Sequence, residues 1–278
     1  MDERKNVQSQ GARAMLELKS IYKTFNPGTI NAKTALQDLS LTLNDGDFVT
    51  VIGGNGAGKS TMLNAVAGTF TVDAGTIAIG GVDVTHLPEH RRAKFIGRVF
   101  QDPMMGTAPT MQIEENLALA ARRGRRRGLS WGITRAEREE YREKLKTLGL
   151  GLEDRMTSKV GLLSGGQRQA LTLLMASLRR PELLLLDEHT AALDPATAAK
   201  VLELSDRIVA ENHLTAMMIT HNMRDAITHG NRLIMMNAGR IILDISGEEK
   251  RKLTKQDLLD RFAALAGQQE ETDSVLLS

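Results

Sequence analysis

The sequence centres on nine residues, Gly53-Gly54-Asn55-Gly56-Ala57-Gly58-Lys59-Ser60-Thr61. They fit the phosphate-loop pattern G-x-x-x-x-G-K-[ST] and lie between an apolar stretch at 48–52, which predicts a strand, and one at 62–67, which predicts a helix. Glycines let successive backbone N–H groups approach a polyphosphate, and the helix start adds its positive dipole end. In this pattern Lys59 suits the β- and γ-phosphates and the Ser60 hydroxyl suits Mg²⁺. The stretch therefore predicts a nucleotide-phosphate site.

Composition and charge restrict the class of protein. The chain has 278 residues, of which 25% are charged and 41% hydrophobic, which is typical of a globular protein with a substantial core. A net charge of +2 is too small to indicate a nucleic-acid partner, and none is expected. The absence of cysteine excludes disulfides and is compatible with a reducing cytoplasm. No apolar run approaches the roughly 18 residues of a membrane helix, and no signal peptide is evident, so we expect a soluble chain.

The N-terminal part of the sequence predicts two strands. Residues 1–14 are polar and predict a flexible tail, Leu16 begins the first strand, and the alternation at 39–43 predicts the second. Tyr22 and Phe25 lie between these strands. An aromatic ring at this place can stack on adenine or pack in the core, and both interpretations stay open.

The middle of the chain changes from strands to helices. Residues 76–84 predict a strand, a turn and a second strand. Residues 95–100 predict another strand, and Gln101 follows directly at its end. From about 103 to 178 the pattern is mostly helical. Inside this segment, Arg122-Arg123-Gly124-Arg125-Arg126-Arg127 could bind RNA, anionic lipid or a partner protein, or form a solvated loop. The lack of interleaved aromatic residues counts against single-stranded nucleic acid.

A second helix start has the features of an anion site. In Ser164-Gly165-Gly166-Gln167 the serine and the glutamine stand at the positions of a capping box, as Thr134 and Glu137 do earlier in the helical segment. The two glycines leave backbone amides of the first turn accessible. A chain that needs one phosphate site would not need this second helix start.

Polar residues follow two further predicted strands. The apolar stretch 183–186 precedes Asp187 and Glu188, and the stretch 215–220 precedes His221. In an open parallel sheet, ligands bind at the carboxyl ends of the strands. Because side chains alternate along a strand, the two acids take different roles: Asp187 suits Mg²⁺, and Glu188 suits the attacking water. A histidine at such a position favours function over a structural role.

The motifs and their order along the chain closely resemble those of the ABC transporter ATPase family. The order is the phosphate loop, Gln101, the Ser164-Gly165-Gly166-Gln167 helix start, the Asp187-Glu188 pair and His221, and the resemblance covers roughly residues 15–250. The resemblance implies an α/β P-loop NTPase fold with a RecA-like core, an antiparallel β-subdomain and an inserted helical subdomain at about 103–178, followed by a C-terminal helix and tail at 251–278. It also implies that two chains enclose two ATP molecules. Each ATP then lies between the phosphate loop of one chain and the Ser164-Gly165-Gly166-Gln167 signature of the other.

The same resemblance implies roles for individual residues. Gln101 is the glutamine that senses Mg²⁺ and the permease, Asp194 lies in the loop before the next helix, and His221 contacts the γ-phosphate. The resemblance also implies that Phe25 stacks on adenine, and Tyr22 is the second candidate for this role. One departure is His189, which follows the Asp-Glu pair where the family often has Pro or Ala, and no chemistry is assigned to it.

Transport is the function that the resemblance favours. The chain has one copy of each motif, no fused membrane domain and no heptads between Gln101 and Ser164, which is typical of a separate ATP-binding subunit that works with permease subunits and, indirectly, an extracytoplasmic binding protein. The 187–195 and 100–109 stretches are similar to importer ATPases of aromatic amino-acid systems. The alternative is a non-transport ABC ATPase with a regulatory or nucleic-acid-associated role. The resemblance implies peripheral association with the cytoplasmic face of the membrane.

The segment after Gln101 is the expected contact with the permease. It contains Met104 and Met105, whose flexible side chains suit an adaptable surface. Glu114 and Glu115 are expected to lie near this surface, so that their charge would affect permease assembly.

Overall fold

The structure is a computed structural model that describes residues 13–124, 132–261 and 263–264. Two 3-10 turns lie at Leu152–Asp154 and Val160–Leu162, and residues 255–261 are helical. The strands and the other helices follow in this order: β1 (Ala14–Phe25), β2 (Lys33–Asn44), β3 (Phe48–Gly53), α1 (Lys59–Ala67), β4 (Ala74–Ile79), β5 (Val82–Asp83), α2 (Glu89–Arg92), β6 (Ile96–Val99), α3 (Ile113–Ala121), α4 (Arg135–Lys146), α5 (Gly165–Ser177), β7 (Leu183–Asp187), α6 (Pro195–Glu211), β8 (Ala216–Ile219), α7 (Met223–Thr228), β9 (Arg232–Asn237), β10 (Arg240–Ser246) and α8 (Gly247–Lys252).

The strands form two sheets. The first is antiparallel, in the order β2-β1-β4-β5, and the second has the order β10-β9-β3-β8-β7-β6. In the second sheet all neighbours are parallel except β10, which pairs antiparallel with β9. An apolar core that includes residues of both sheets also contains Met62, Leu63 and Val66 of α1. The phosphate loop is thus anchored at both of its ends in one core.

The extent of β1 differs from the sequence prediction. Tyr22 and Phe25 were expected between two strands, but both belong to β1, and Ala14, assigned to the tail, begins it. The register of β1 against β2 shifts at several places, and Ser20 adopts a φ of 47°. These irregularities break the apolar–polar alternation from which a strand is predicted, while pairing with both β2 and β4 supplies the backbone hydrogen bonds.

The helical segment at 103–178 packs in a second core that it shares with the six-stranded sheet and α6. Side chains of α3, α4 and α5 pack together with one face of β7 and β8, and fully buried members include Leu117, Leu145 and Leu171. Both predicted capping boxes are confirmed: Thr134 Oγ1 accepts from the Glu137 backbone N–H, and Ser164 Oγ accepts from that of Gln167.

The expectation that Glu114 offers its charge near the permease contact is wrong, whereas Glu115 is partly exposed. Glu114 is 4% exposed, and its two carboxylate oxygens accept from Arg138 at 2.7 and 2.9 Å. Glu115 accepts from the backbone N–H of Gln112 and caps α3. Both acids therefore hold α3 in place, and reversing their charge would damage the helical segment itself.

Several sequence-based expectations concern residues that lie partly or wholly outside the described ranges. Residues 1–12 of the predicted tail, Arg125–Arg127 of the arginine cluster and residues 265–278 lie outside them. Arg122 pairs with Glu137, and Arg123 donates to the Ala176 carbonyl. Within the described ranges, no helix combines the length and apolar character needed to cross a bilayer.

Candidate functional site

The carboxyl ends of four neighbouring strands converge on one edge of the six-stranded sheet. From β3 the chain continues into the phosphate loop, from β6 to Gln101, from β7 to Glu188 and from β8 to His221. Strand β8 lies between β3 and β7, and β6 flanks β7. Motifs far apart in the sequence are thereby brought to one site, as expected of an open parallel sheet.

Close packing fixes the path of the phosphate loop. Gly53 has a φ of 152°, and a Cβ at this residue would lie 2.3 Å from the Met236 carbonyl oxygen. Lys59 is 8% exposed, and its Nζ donates to the carbonyls of Gly53 at 2.8 Å and Gly54 at 3.1 Å. Ser60, next to it at the start of α1, is exposed. The loop thus holds an ammonium group on its inner side and presents a hydroxyl outward.

Asp187 is held by an arginine that the sequence prediction missed. Arg98 on β6 donates from Nη2 to Asp187 Oδ2 at 3.2 Å and to Asn64 Oδ1 of α1 at 2.7 Å. Burial raises the pKa of Asp187, whereas Arg98 lowers it and Glu188 raises it. The guanidinium also lies 4.6 Å from the centre of the Phe100 ring. Arg98 therefore connects three elements around the site.

Glu188 and His221 meet across β7 and β8. Glu188 Oε2 lies 3.7 Å from His221 Nδ1, which is an electrostatic contact rather than a hydrogen bond. Glu188 has a φ of 44°, a left-handed conformation that costs about 1–2 kcal/mol for a residue with a side chain. Its backbone N–H donates to the Ile219 carbonyl, so the neighbouring strand holds it in this conformation. Such strain is typical of a functional position.

Gln101 lies in a cleft beside these residues. The cleft has a volume of about 640 Å³ and is lined by Gln101, Arg98, Asp187 and Met105, among others. Gln101 itself is exposed, and the preceding carbonyl, of Phe100, accepts from Gln169 of α5. The glutamine is therefore placed between the sheet edge and the helical segment.

His189, to which no chemistry was assigned, is buried next to Glu188. It is 2% exposed, and its Nε2 lies 2.9 Å from Ser205 Oγ of α6. Because the Ser205 hydroxyl donates to the Val201 carbonyl, Ser205 accepts from an Nε2–H tautomer of the ring. Burial lowers the pKa of His189 to about 4, so the ring is neutral at neutral pH. It ties the loop after β7 to α6.

The two candidate adenine residues differ in environment. Phe25 is half-buried, and its ring packs edge-to-face on Phe70 with centroids 5.3 Å apart. The Nζ of Lys23 lies 5.6 Å from the Phe25 centroid and donates to Asp73. Tyr22 is 41% exposed. Phe25 thus has a ring that is supported by Phe70 and Lys23.

The signature residues belong to a different part of the surface. Ser164 and Gly165 are exposed at the start of α5. Ser164, Gly166 and Gln167 line a cleft of about 700 Å³ that is bordered by α6 and contains no residue of the phosphate loop. Asp194 caps α6 by accepting from the Thr197 N–H. Hydrogen bonding with the Thr197 side chain, and then with its backbone N–H, lowers the pKa of Asp194. The structure thus does not bring the signature and the phosphate loop into one cleft.

Comparisons with known proteins agree with this geometry. The model of the family described as ABC transporter matches residues 36–191. The chain is 42% identical to the tyrosine transport ATP-binding protein of Clostridioides difficile (strain R20291), over 89% of this chain and 98% of that protein. It is 34% identical to the methionine import ATP-binding protein MetN 2 of Enterococcus faecalis (strain ATCC 700802 / V583), over 95% of this chain and 74% of that one.

Solved structures agree as well. The ATP-binding cassette MJ0796, described as a dimer in a post-hydrolysis state with ADP and Pi, shares 30% identity and a TM-score of 0.71, covering 84% of this chain and 98% of that one. The ADP conformation of the cassette MJ1267 gives 26% identity and a TM-score of 0.73, over 90% of this chain and 98% of that one.

The fold and the converging strand ends define a P-loop NTPase, which confirms the predicted fold class. The chain belongs to the ABC transporter family, and it is an ATP-binding and ATP-hydrolysing member of that family.

Proposed function

We propose that this chain is the ATPase subunit of a bacterial importer for a small solute, with an aromatic amino acid as the transported class. The observation that carries the proposal is the set of four strand ends at one sheet edge, combined with relatives named for tyrosine transport and methionine import. In the proposed division, residues 15–250 are the ATPase domain, about 103–178 are its helical subdomain, and 251–278 are the C-terminal extension.

In this proposal each residue at the edge has one task. The phosphate-loop amides and Lys59 bind the β- and γ-phosphates, and Phe25 stacks on adenine. Glu188 accepts a proton from the water that attacks the γ-phosphorus as the bond to the ADP oxygen breaks. His221, 3.7 Å from Glu188, contacts the γ-phosphate and orients it towards that water.

The oxygen donors fit Mg²⁺. Ser60, Gln101 and Asp187 supply a hydroxyl, an amide oxygen and a carboxylate, and Mg²⁺ is usually held by one or two carboxylates together with substrate phosphates. Among the described residues no cluster of three or more His, Cys, Asp or Glu side chains could hold a metal, in keeping with an ion that arrives with the nucleotide. When bound, the ion neutralises charge on the phosphates.

The signature serves the nucleotide of a second copy of the chain. Ser164 and Gly165 are exposed, and the signature lines a cleft apart from the phosphate loop. These positions support a site in which the two helix starts come from two chains. Dimeric cassettes among the similar structures support this arrangement. The assembly is proposed to sit at the cytoplasmic face of the membrane through permease subunits, which receive substrate from an extracytoplasmic binding protein.

The segment after Gln101 is the proposed permease contact. Met104 is 39% exposed and Met105 69% exposed, and Met105 lines the Gln101 cleft. Exposed methionines suit an adaptable helix-binding surface.

Uptake by cells tests the proposed function. A strain in which the gene is deleted should lose uptake of labelled tyrosine or tryptophan, and the wild-type gene should restore it whereas Glu188→Gln should not. If deletion leaves the uptake of aromatic amino acids unchanged while purified protein hydrolyses ATP, the ATPase assignment stands and the proposed solute class is wrong.

A further inference from the structure

Lys33 stands opposite the proposed adenine aromatic. It is the first residue of β2, and its partner across the antiparallel pair is Phe25, the last residue of β1. Facing residues in such a pair have Cβ atoms about 4.5–5.5 Å apart. Lys33 therefore lies on the same ribbon as the ring that is proposed to hold the base.

The start of β2 is also held tightly against the phosphate loop. A Cβ on Gly58 would lie 2.7 Å from the Ala35 carbonyl oxygen, so only glycine permits this approach. The contact is extended by two hydrogen bonds through Gly239, which donates to the Ala57 carbonyl and accepts from the Gln37 N–H, each at 3.0 Å. The backbone that carries Lys33 thus has a fixed position relative to the loop.

The ammonium group of Lys33 lies beside the loop, and no residue of the described ranges serves as its counter-ion. Its Nζ would be 3.6 Å from a Cβ on Gly56, and the side chain is exposed. Neighbouring lysines of the same sheet are paired, Lys23 with Asp73 and Lys19 with Glu17. Lys33 has no side-chain hydrogen bond or ion pair to any residue in the described part of the chain.

We infer that Lys33 is a second cationic contact for the polyphosphate of the bound nucleotide, in addition to Lys59. This inference rests on the nucleotide site proposed above. A cation beside the phosphate loop lies within reach of the phosphates that the loop holds. Because the contact is at the surface, it stabilises binding modestly, and its effect grows with the number of phosphate charges.

Nucleotide affinities of matched variants test the inference. Lys33→Gln removes the charge, Lys33→Arg keeps it, and Lys144→Gln removes an exposed charge from α4 in the helical segment. All are made in the full chain with Glu188→Gln, and dissociation constants for AMP, ADP and ATP are measured by calorimetry at low and high salt. Lys59→Ala is measured alongside as the test of the site itself.

The inference predicts a graded loss. Lys33→Gln should weaken ATP binding about fivefold at low salt, ADP binding less and AMP binding hardly at all. The loss of affinity should shrink at high salt. Lys33→Arg should restore most of the affinity, and Lys144→Gln should bind like the parent chain. Equal losses for AMP and ATP, or no loss while Lys59→Ala weakens ATP, would overturn the role of Lys33 alone. Unchanged ATP affinity in Lys59→Ala would overturn the nucleotide site as well.

Discussion

The helices α1 and α5 both begin on glycine-rich sequence, but their first turns differ. Gly58, with a φ of 100° and no side chain to offer, precedes α1, and the buried Lys59 follows it. Ser164 precedes α5 and satisfies the Gln167 N–H with its own hydroxyl, while Gln167 Oε1 accepts from the Ser164 N–H. The start of α1 is thus built to enclose an anion, whereas the start of α5 is exposed and capped by its own side chains. The proposal assigns the two starts accordingly: α1 binds the nucleotide of its own chain, and α5 is proposed to complete a site supplied by another chain.

The largest expected effect concerns the acid beside the α1 site. Glu188→Gln removes the base but keeps the size of the side chain, so hydrolysis should fall about 10²–10⁴-fold while ATP still binds. Steady-state ATPase rates and ATP affinity measure the two effects separately. Hydrolysis at a rate near that of the wild-type chain would contradict the role of Glu188.

A smaller effect is expected from the arginine that ties α1 to β7. Arg98→Met removes the group that lowers the pKa of Asp187, so this pKa should rise further. Because the ionised carboxylate is the active form, the acid limb of the ATPase pH profile should move to higher pH. Arg142→Met on exposed α4 is the control, and an unmoved acid limb in Arg98→Met would argue against the pairing.

The loop between β7 and α6 should carry an acid-sensitive hydrogen bond, between His189 and Ser205. In the unfolded chain His189 has an ordinary pKa of 6.5, whereas in the folded chain the pKa is about 4. Protons therefore bind preferentially to the unfolded state between these values, and stability should decrease as the pH is lowered across that window, by about 3 kcal/mol at most. His189→Gln cannot titrate and should flatten this part of the curve in urea unfolding. His90→Gln, at an exposed histidine, should leave the curve unchanged. Parallel curves of stability against pH for the wild type and both variants would exclude His189 as the cause of the acid sensitivity.

The smallest effect on stability is expected at α5 itself. Ser164→Ala removes the cap and should cost about 1 kcal/mol, whereas Ser164→Asp keeps a cap and should fold normally. Yet the carboxylate introduced by Ser164→Asp would place negative charge against the phosphates of the opposite chain, so ATPase activity should fall in this variant. Full activity in Ser164→Asp would show that α5 does not face a nucleotide.

Local motifs made most of the site predictable. The phosphate loop, the acids after β7 and both capping boxes depend on residues close together in the sequence, and the parallel sheet brings the strand ends together by topology alone. Arg98 and Lys33 were missed because their contacts depend on the register of β6 against β7 and of β1 against β2. Glu114 was misjudged because its partner, Arg138, lies on another helix.

The sharing of one nucleotide by two chains is tested most directly with mixed dimers. The first mixed dimer carries Lys59→Ala in one chain and Ser164→Asp in the other. The second mixed dimer joins a wild-type chain to a chain that carries both substitutions. Two affinity tags isolate each mixed dimer for ATPase measurement. The shared-site account predicts that the first mixed dimer keeps one intact site and hydrolyses ATP, whereas the second has none and is inactive. The reverse result, with activity only where a wild-type chain is present, would contradict it.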